Sequence, residues 1–201
     1  MKIESLDGLR FLYGPAKERS VLKQLVELDA HCQHFISLSP FLVIASGSAD
    51  HALDASPRGG APGFVQVLDK QTLLIPDSPG NNRLDTLENI ISTGQVGLLF
   101  LIPGVDETLR VNGRARLSTA QADLDLGATE QRRPKLVIRV SVRDAYLHCA
   151  KALMRSELWN EKIKVERSIL PTMGQMLKDQ IQSNAPAEPQ EEMLRRYLTE
   201  L

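Results

Sequence analysis

The chain has 201 residues, 42% of them hydrophobic and 24% charged, which is ordinary globular usage and excludes a disordered chain, a collagen or a coiled-coil rod. Its 24 Lys and Arg against 25 Asp and Glu leave a net charge of −1, so no basic surplus points to nucleic acid, and no nucleic-acid partner is expected. A chain of this length buries a core without metal or disulfide staples.

Helices come first in the chain. Ser5 is placed to cap a short helix through Leu12, which Gly14-Pro15 stops. Leu22, Leu25, Val26 and Asp29 fall at i, i+3, i+4 and i+7, which predicts a helix whose apolar stripe packs on the domain. The character changes at Ser39-Pro40. Phe41-Leu42-Val43-Ile44-Ala45 is a compact apolar run ended by Ser46-Gly47-Ser48, as in a buried strand. The stretch from Asp54 to Gly60 reads as a polar loop. Gly63 to Asp69 alternates as a strand, turns at Asp69-Lys70 and returns through Thr72 to Pro76.

One helix follows, with Leu84, Leu87, Ile90 and Ile91 on its stripe and Asn81 or Asn82 as its cap. Val96 to Ile102 is a third apolar run, stopped by Pro103-Gly104. Thr108 to Leu117 and Lys135 to Val142 alternate as two more strands. After Val142 the chain reads as helical: Ala150 to Trp159, a helix opened by Pro171, and a last one from Glu188 to Leu201, with Asn184 to Pro189 as a linker. About six strands around one inserted helix do not alternate as an α/β fold requires. Tight turns argue for antiparallel pairing, and such strands close into a small barrel.

No run approaches the ~18 apolar residues of a membrane span, so no membrane partner is expected. No charged n-region followed by an apolar stretch opens the chain, so no secretory leader is expected. Cys32 and Cys149 make no disulfide framework, which fits a reducing, cytoplasmic location. His31, Cys32 and His34, and separately His148 and Cys149, lack the paired spacing of a zinc site, and no metal is expected. The serine-hydrolase, zincin, P-loop and Rossmann signatures are all missing from the sequence.

Three segments hold candidate site residues. Ser56, Arg58, Gly59 and Gly60 combine a hydroxyl, a guanidinium and two glycines, which suits either a solvated turn or a phosphate grip. Asn81, Asn82 and Arg83 stand at the mouth of the inserted helix. The helix dipole disfavours a cation there unless an anion lies between them. Lys151, Arg155 and Trp159, at i, i+4 and i+8, share one helix face. Two cations beside an indole suit an anionic planar ligand, or else a solvated face with a core anchor.

Taken in order, Asp54-Ala55-Ser56-Pro57-Arg58-Gly59, Gly63-Phe64-Val65, Leu74-Ile75-Pro76-Asp77, Gly80-Asn81-Asn82-Arg83-Leu84-Asp85-Thr86 and Asn89-Ile90 resemble the pyridoxamine 5′-phosphate oxidase-like flavoproteins. Val96 to Phe100 and Leu109 to Ala115 continue the likeness, which covers about residues 35 to 159. Within the family it is similar to FMN-dependent members that carry Pro-Gly-Asn-Asn-Arg.

The resemblance implies a mainly β fold with α: a split antiparallel β-barrel over 35–160, with helical extensions at 1–34 and 161–201. It implies a homodimer with one FMN at each of two sites between subunits. Arg58 and Arg83 would hold the FMN phosphate, with Ser56 and Asn82 assisting. The backbone of Ile75, Pro76 and Asp77 would follow the isoalloxazine edge. The other subunit's segment with Lys151, Arg155 and Trp159 would cover the ring. The implied activity is an FMN-dependent oxidoreductase acting on a small-molecule substrate or a nicotinamide electron donor. The alternative is a non-catalytic flavin carrier or redox sensor.

True pyridoxamine phosphate oxidases carry a Ser-Arg-Lys-Gly-type segment where this chain has Asn81-Asn82-Arg83-Leu84. They also end in a Trp- and Arg-rich segment rather than Glu191-Glu192-Met193. Both departures argue against vitamin B6 oxidation. Locally, Val111-Asn112-Gly113-Arg114 reads as a type I′ turn. The resemblance makes it one long strand kinked at Gly113, and the latter is expected because Pro103-Gly104 already supplies the turn.

Overall fold

A computed structural model describes residues 2–130 and 132–199, which divide into two compact units, Met1–Trp159 and Asn160–Leu201. The first opens with α1 (Leu6–Tyr13), α2 (Glu18–Leu22) and α3 (Ala30–Leu38). Its strands are β1 (Phe41–Gly47), β2 (Leu53–Gly59), β3 (Gln66–Asp69), β4 (Thr72–Pro76), β5 (Gln95–Leu101), β6 (Thr108–Ser118) and β7 (Val137–His148). Three more helices punctuate them: α4 (Asp85–Thr93), α5 (Gln121–Leu126) and α6 (Lys151–Ser156).

All seven strands form one antiparallel sheet in the order β2-β1-β5-β6-β7-β4-β3. The sheet is not closed, and β2 and β3 are its two edges. Alternation decides the inward face: Leu42 and Ile44, Leu98 and Phe100, Leu109 and Val111, Ile138 and Val140 are all buried. They share one core with Leu73 and Ile75 of β4, Ile36 of α3, and Leu87 and Ile90 of α4. Strands from both halves of the open sheet thus enclose a single core, as in a split barrel.

The helix α1 forms as its caps predict, with Ser5 Oγ accepting from Gly8 N at 3.0 Å and Gly14 closing it. The helical stripe from Leu22 to Asp29 does not form. The helix α2 stops at Leu22, and Leu22 and Val26 stay 71% and 74% exposed. Leu25 instead exchanges two backbone hydrogen bonds of 2.9 Å with Ala145. The partner β4 covers β7 only as far as Ser141, so the flank of β7 at Ala145 needs donors and acceptors, and Leu25 supplies them. Asp29 then caps a helix of its own, α3, accepting from Cys32 N at 2.8 Å.

Two further expectations are corrected. Asp54 to Gly59 is not a loop but the edge strand β2, paired with β1 from Gly47 opposite Leu53 to Phe41 opposite Gly59. Pro57 is tolerated because an edge strand leaves one side of its backbone without a ladder. The chain after Val142 also continues as strand to His148 rather than turning helical. The long β6 forms as the family likeness implies. Its register against β7 shifts between Asn112 and Gly113, a bulge.

The α5 carboxylate of Asp123 accepts from Ser118 Oγ at 2.6 Å and from Arg139 Nη1 at 2.8 Å. The Ser118 hydrogen bond first, then the Arg139 charge, hold its pKa below the usual carboxylate range. A depressed folded pKa contributes stability that is present above the unfolded value of about 3.9 and lost as pH falls through the folded one. Asp123→Asn is therefore expected to flatten the fall of the thermal midpoint between about pH 5 and pH 2. Equal slopes for both proteins would remove Asp123 from the acid transition.

The second unit, described by itself, holds 3₁₀ turns at Glu161–Ile163 and Arg167–Ile169, then α7 (Met173–Gln180) and α8 (Gln190–Leu198). Thr172 caps α7 by accepting from Gln175 N at 3.1 Å, so Pro171 stands before the cap rather than at the first helical position. Glu200 and Leu201, the expected end of the last helix, lie outside the described residues.

Candidate functional site

The alternation of β2 sorts its residues. Leu53, Ala55, Pro57 and Gly59 are exposed, while Asp54, Ser56 and Arg58 are half-buried on the other face. Two bonds anchor that face. Thr86 Oγ1 in the first turn of α4 donates to Asp54 Oδ2 at 2.6 Å. Arg58 Nη1 donates to Asp77 Oδ1 at 3.1 Å, with the two side chains only 18% and 19% exposed. Ser56 stands between the two anchors on the same face. Deeper in, Asn89 Nδ2 donates to Ser46 Oγ at 3.0 Å and fixes α4 against β1. The Nε of Arg58 is buried and has no hydrogen-bond partner among the described residues. A buried donor without an acceptor is costly, and at a cation an anion would relieve that cost.

Ile75 is fully buried and Pro76 half-buried at the end of β4. Asp77 N donates to Leu136 O at 3.1 Å, and Arg132 Nη2 holds Ser78 Oγ at 2.8 Å. The β3 register ends at Gln66 opposite Leu74, so Ile75 and Pro76 run beyond it.

The mouth of α4 differs from expectation. Neither Asn81 nor Asn82 caps the helix; Leu84, left-handed at φ 61°, is the cap residue and gives no side-chain bond. Asn81 Oδ1 accepts from Arg83 N at 3.1 Å, and Asn82 is left-handed too, at φ 58°. Left-handed backbone at a leucine is rare and strained. Arg83 is 74% exposed and pairs with Asp85 at 2.8 Å, so it does not join Arg58.

The face expected for Lys151, Arg155 and Trp159 is also corrected. The helix α6 ends at Ser156, where Glu157 turns left-handed at φ 49° and breaks the i, i+8 alignment. Lys151 and Arg155 are exposed, while Trp159 Nε1 donates to Val105 O at 2.9 Å, an anchor within its own unit.

No group of three or more His, Cys, Asp or Glu suited to a metal ion occurs among the described residues. The two thiols differ. Burial, with the Asp29 carboxylate beside it, pushes Cys32 up to about 12, while Cys149 is exposed. Reactivity follows thiolate and access. Iodoacetamide at neutral pH is expected to label one thiol per native chain, at Cys149, and two after denaturation. Two labelled thiols in the native protein would contradict the buried Cys32.

The seven-stranded open sheet with its flanking helices defines the class, a split-barrel fold. Residues 28–149, more than half of the chain, match the family model described as pyridoxamine 5′-phosphate oxidase. The chain belongs to that family. Among solved structures, a single-substitution variant of HupZ from Group A Streptococcus aligns over 60% of this chain and 99% of its own, at 16% identity and a TM-score of 0.51. At that identity the likeness is one of fold. An FMN-binding protein from Syntrophomonas wolfei subsp. wolfei aligns over 72% and 97% at 12% identity, with a TM-score of 0.43. An FAD binding protein from Mycobacterium smegmatis aligns over 62% and 97% at 19% identity, with a TM-score of 0.44. A comparison with curated proteins returned no match. No helix among the described residues is long and apolar enough to cross a membrane.

Proposed function

We propose that the chain binds FMN through the polar face of β2 and serves as an FMN-dependent oxidoreductase of the pyridoxamine 5′-phosphate oxidase-like class. The observation that carries this reading is Arg58, a guanidinium four-fifths buried whose Nε lacks an acceptor. A phosphate supplies that acceptor. Ser56 beside it offers a hydroxyl, and the first turn of α4 leaves its N–H groups without a side-chain cap. These residues fit a phosphate. Arg83 is the outer, solvent-screened cation of the set, with Asn82 in the same strained turn, and its Asp85 pairing must open for it to contribute.

When bound, FMN supplies the hydride or electron transfer, and the protein binds and orients it. The backbone of Ile75 and Pro76, which runs beyond the β3 ladder, would hold the isoalloxazine edge. The dimer of this proposal supplies the remaining wall, with the Lys151–Trp159 segment of a second copy over the ring. Apolar surface supports a second copy. Phe41, Val43, Leu99 and Leu101 point away from the core on adjacent strands, with Phe41 opposite Leu101 and Val43 opposite Leu99.

FMN added to the pure protein is expected to be quenched in fluorescence, with two flavins per dimer by light scattering and absorbance. No quenching and no shift in the thermal midpoint would remove the central claim.

A flavin-binding module without turnover, such as a carrier or redox sensor, is the second reading. It is favoured by the hydrogen bonds that Asp54 and Asp77 already accept, from Thr86 and from Arg58. Steady-state reduction of the bound flavin by NADH or NADPH separates the two.

A further inference from the structure

Arg58 meets Asp77 through Nη1, at 3.1 Å. The buried, partnerless atom is Nε. In a planar guanidinium these nitrogens belong to different edges: Nε–H and Nη2 together form the fork that takes an oxyanion side-on. The Asp77 contact therefore leaves Nε, which is covered by protein, without an acceptor among the described residues.

Asp77 is also held in place. Its own N–H donates to Leu136 O at 3.1 Å, and the neighbouring Ser78 hydroxyl takes a 2.8 Å bond from Arg132. Leu136 directly precedes β7, so the backbone of Asp77 is tied to the start of that strand. A carboxylate on backbone held in this way does not follow an incoming ligand. Its bond to Nη1 restricts the orientations open to that guanidinium.

We infer that Asp77 is a positioning residue for phosphate recognition: its acceptor oxygen holds Nη1 and so turns the Nε edge of Arg58 toward the phosphate. This role rests on the proposal that Arg58 binds the FMN phosphate. The negative charge of Asp77 opposes a phosphate dianion nearby. What it contributes is the acceptor geometry, not the charge. This separates Asp77 from a competing counter-ion, which would have to leave before a phosphate could bind.

The test compares FMN and riboflavin affinities of the full chain by fluorescence quenching, in wild type, Asp77→Asn and Asp77→Ala. The Asn side chain keeps an acceptor oxygen and drops the charge. Asp77→Ala is expected to lower the preference for FMN over riboflavin by about tenfold or more. Asp77→Asn is expected to retain that preference to within about threefold, because the acceptor survives. Should Asp77→Ala fail to fold by its thermal midpoint, Asp77→Ser takes its place, since a hydroxyl on the shorter side chain falls short of Nη1. A tighter FMN complex in Asp77→Ala would make Asp77 a competitor and overturn the inference. So would equal losses in the Asn and Ala variants, or no change in either. A wild-type protein that binds riboflavin as well as FMN brings down the phosphate proposal itself, and the role of Asp77 with it.

Discussion

Replacing Arg58 by Ala is expected to weaken FMN by about 2–5 kcal/mol, roughly 30- to 4,000-fold, and to leave riboflavin little changed. Only FMN carries the phosphate, so the difference between the two ligands isolates that contact from ring binding. The size follows from burial. Arg58 is 18% exposed, and its Nε cannot turn to water for an acceptor. Arg83→Ala is expected to act in the same direction but far more weakly, and to fade with added salt. At 74% exposed and paired with Asp85, Arg83 is already screened by solvent and by its neighbour. Isothermal titration of wild type and both variants with both flavins at two salt concentrations measures these losses. An equal loss for FMN and riboflavin in Arg58→Ala would show that Arg58 does not touch phosphate.

Gly113→Val is expected to lower stability by about 3 kcal/mol or more, toward the upper end of overpacking costs. For the first compact unit that is a drop of roughly 6–12 °C in the thermal midpoint. A Cβ at Gly113 would stand 2.2 Å from the carbonyl oxygen of Ser141 and 3.1 Å from its carbon. The obstacle is backbone in the strand paired most extensively with β6, so no side-chain rotation relieves it. Here the bulge after Asn112 brings the two strands close, and only a residue without Cβ fits. Calorimetry on the variant checks this, and an unchanged midpoint would place Gly113 outside a tight contact.

Legibility in the sequence differs from residue to residue. The apolar strands read directly, because residues 41–45 and 96–102 are compact apolar runs; which residues face the core, Leu42 and Ile44, Leu98 and Phe100, appears only in burial. Ser5 and Gly14 mark both ends of α1, since caps act through neighbours within one helical turn. The polar strand β2 reads wrongly as a loop, although Asp54, Ser56 and Arg58 alternate with smaller residues. Pro57 and two glycines carry the stronger local signal. Asp54 escapes notice as a site anchor for the same reason.

Local pattern alone establishes the antiparallel character of the fold, the core strands and the presence of a cation on each side of one hairpin. These depend on periods of two and on turn residues, which involve near neighbours in the chain. Which cation is sunk and which is solvated is settled by contacts in three dimensions. Arg58 is buried because β2 pairs with β1 and lies across from Asp77, nineteen positions along the chain. Arg83 stays in water because Asp85, two residues away, takes its guanidinium. Likewise the stripe from Leu22 to Asp29 satisfies a helix, yet Leu25 is drawn out to Ala145. An unpaired flank of β7 needs partners for its backbone groups, and that requirement comes from a strand more than a hundred residues away.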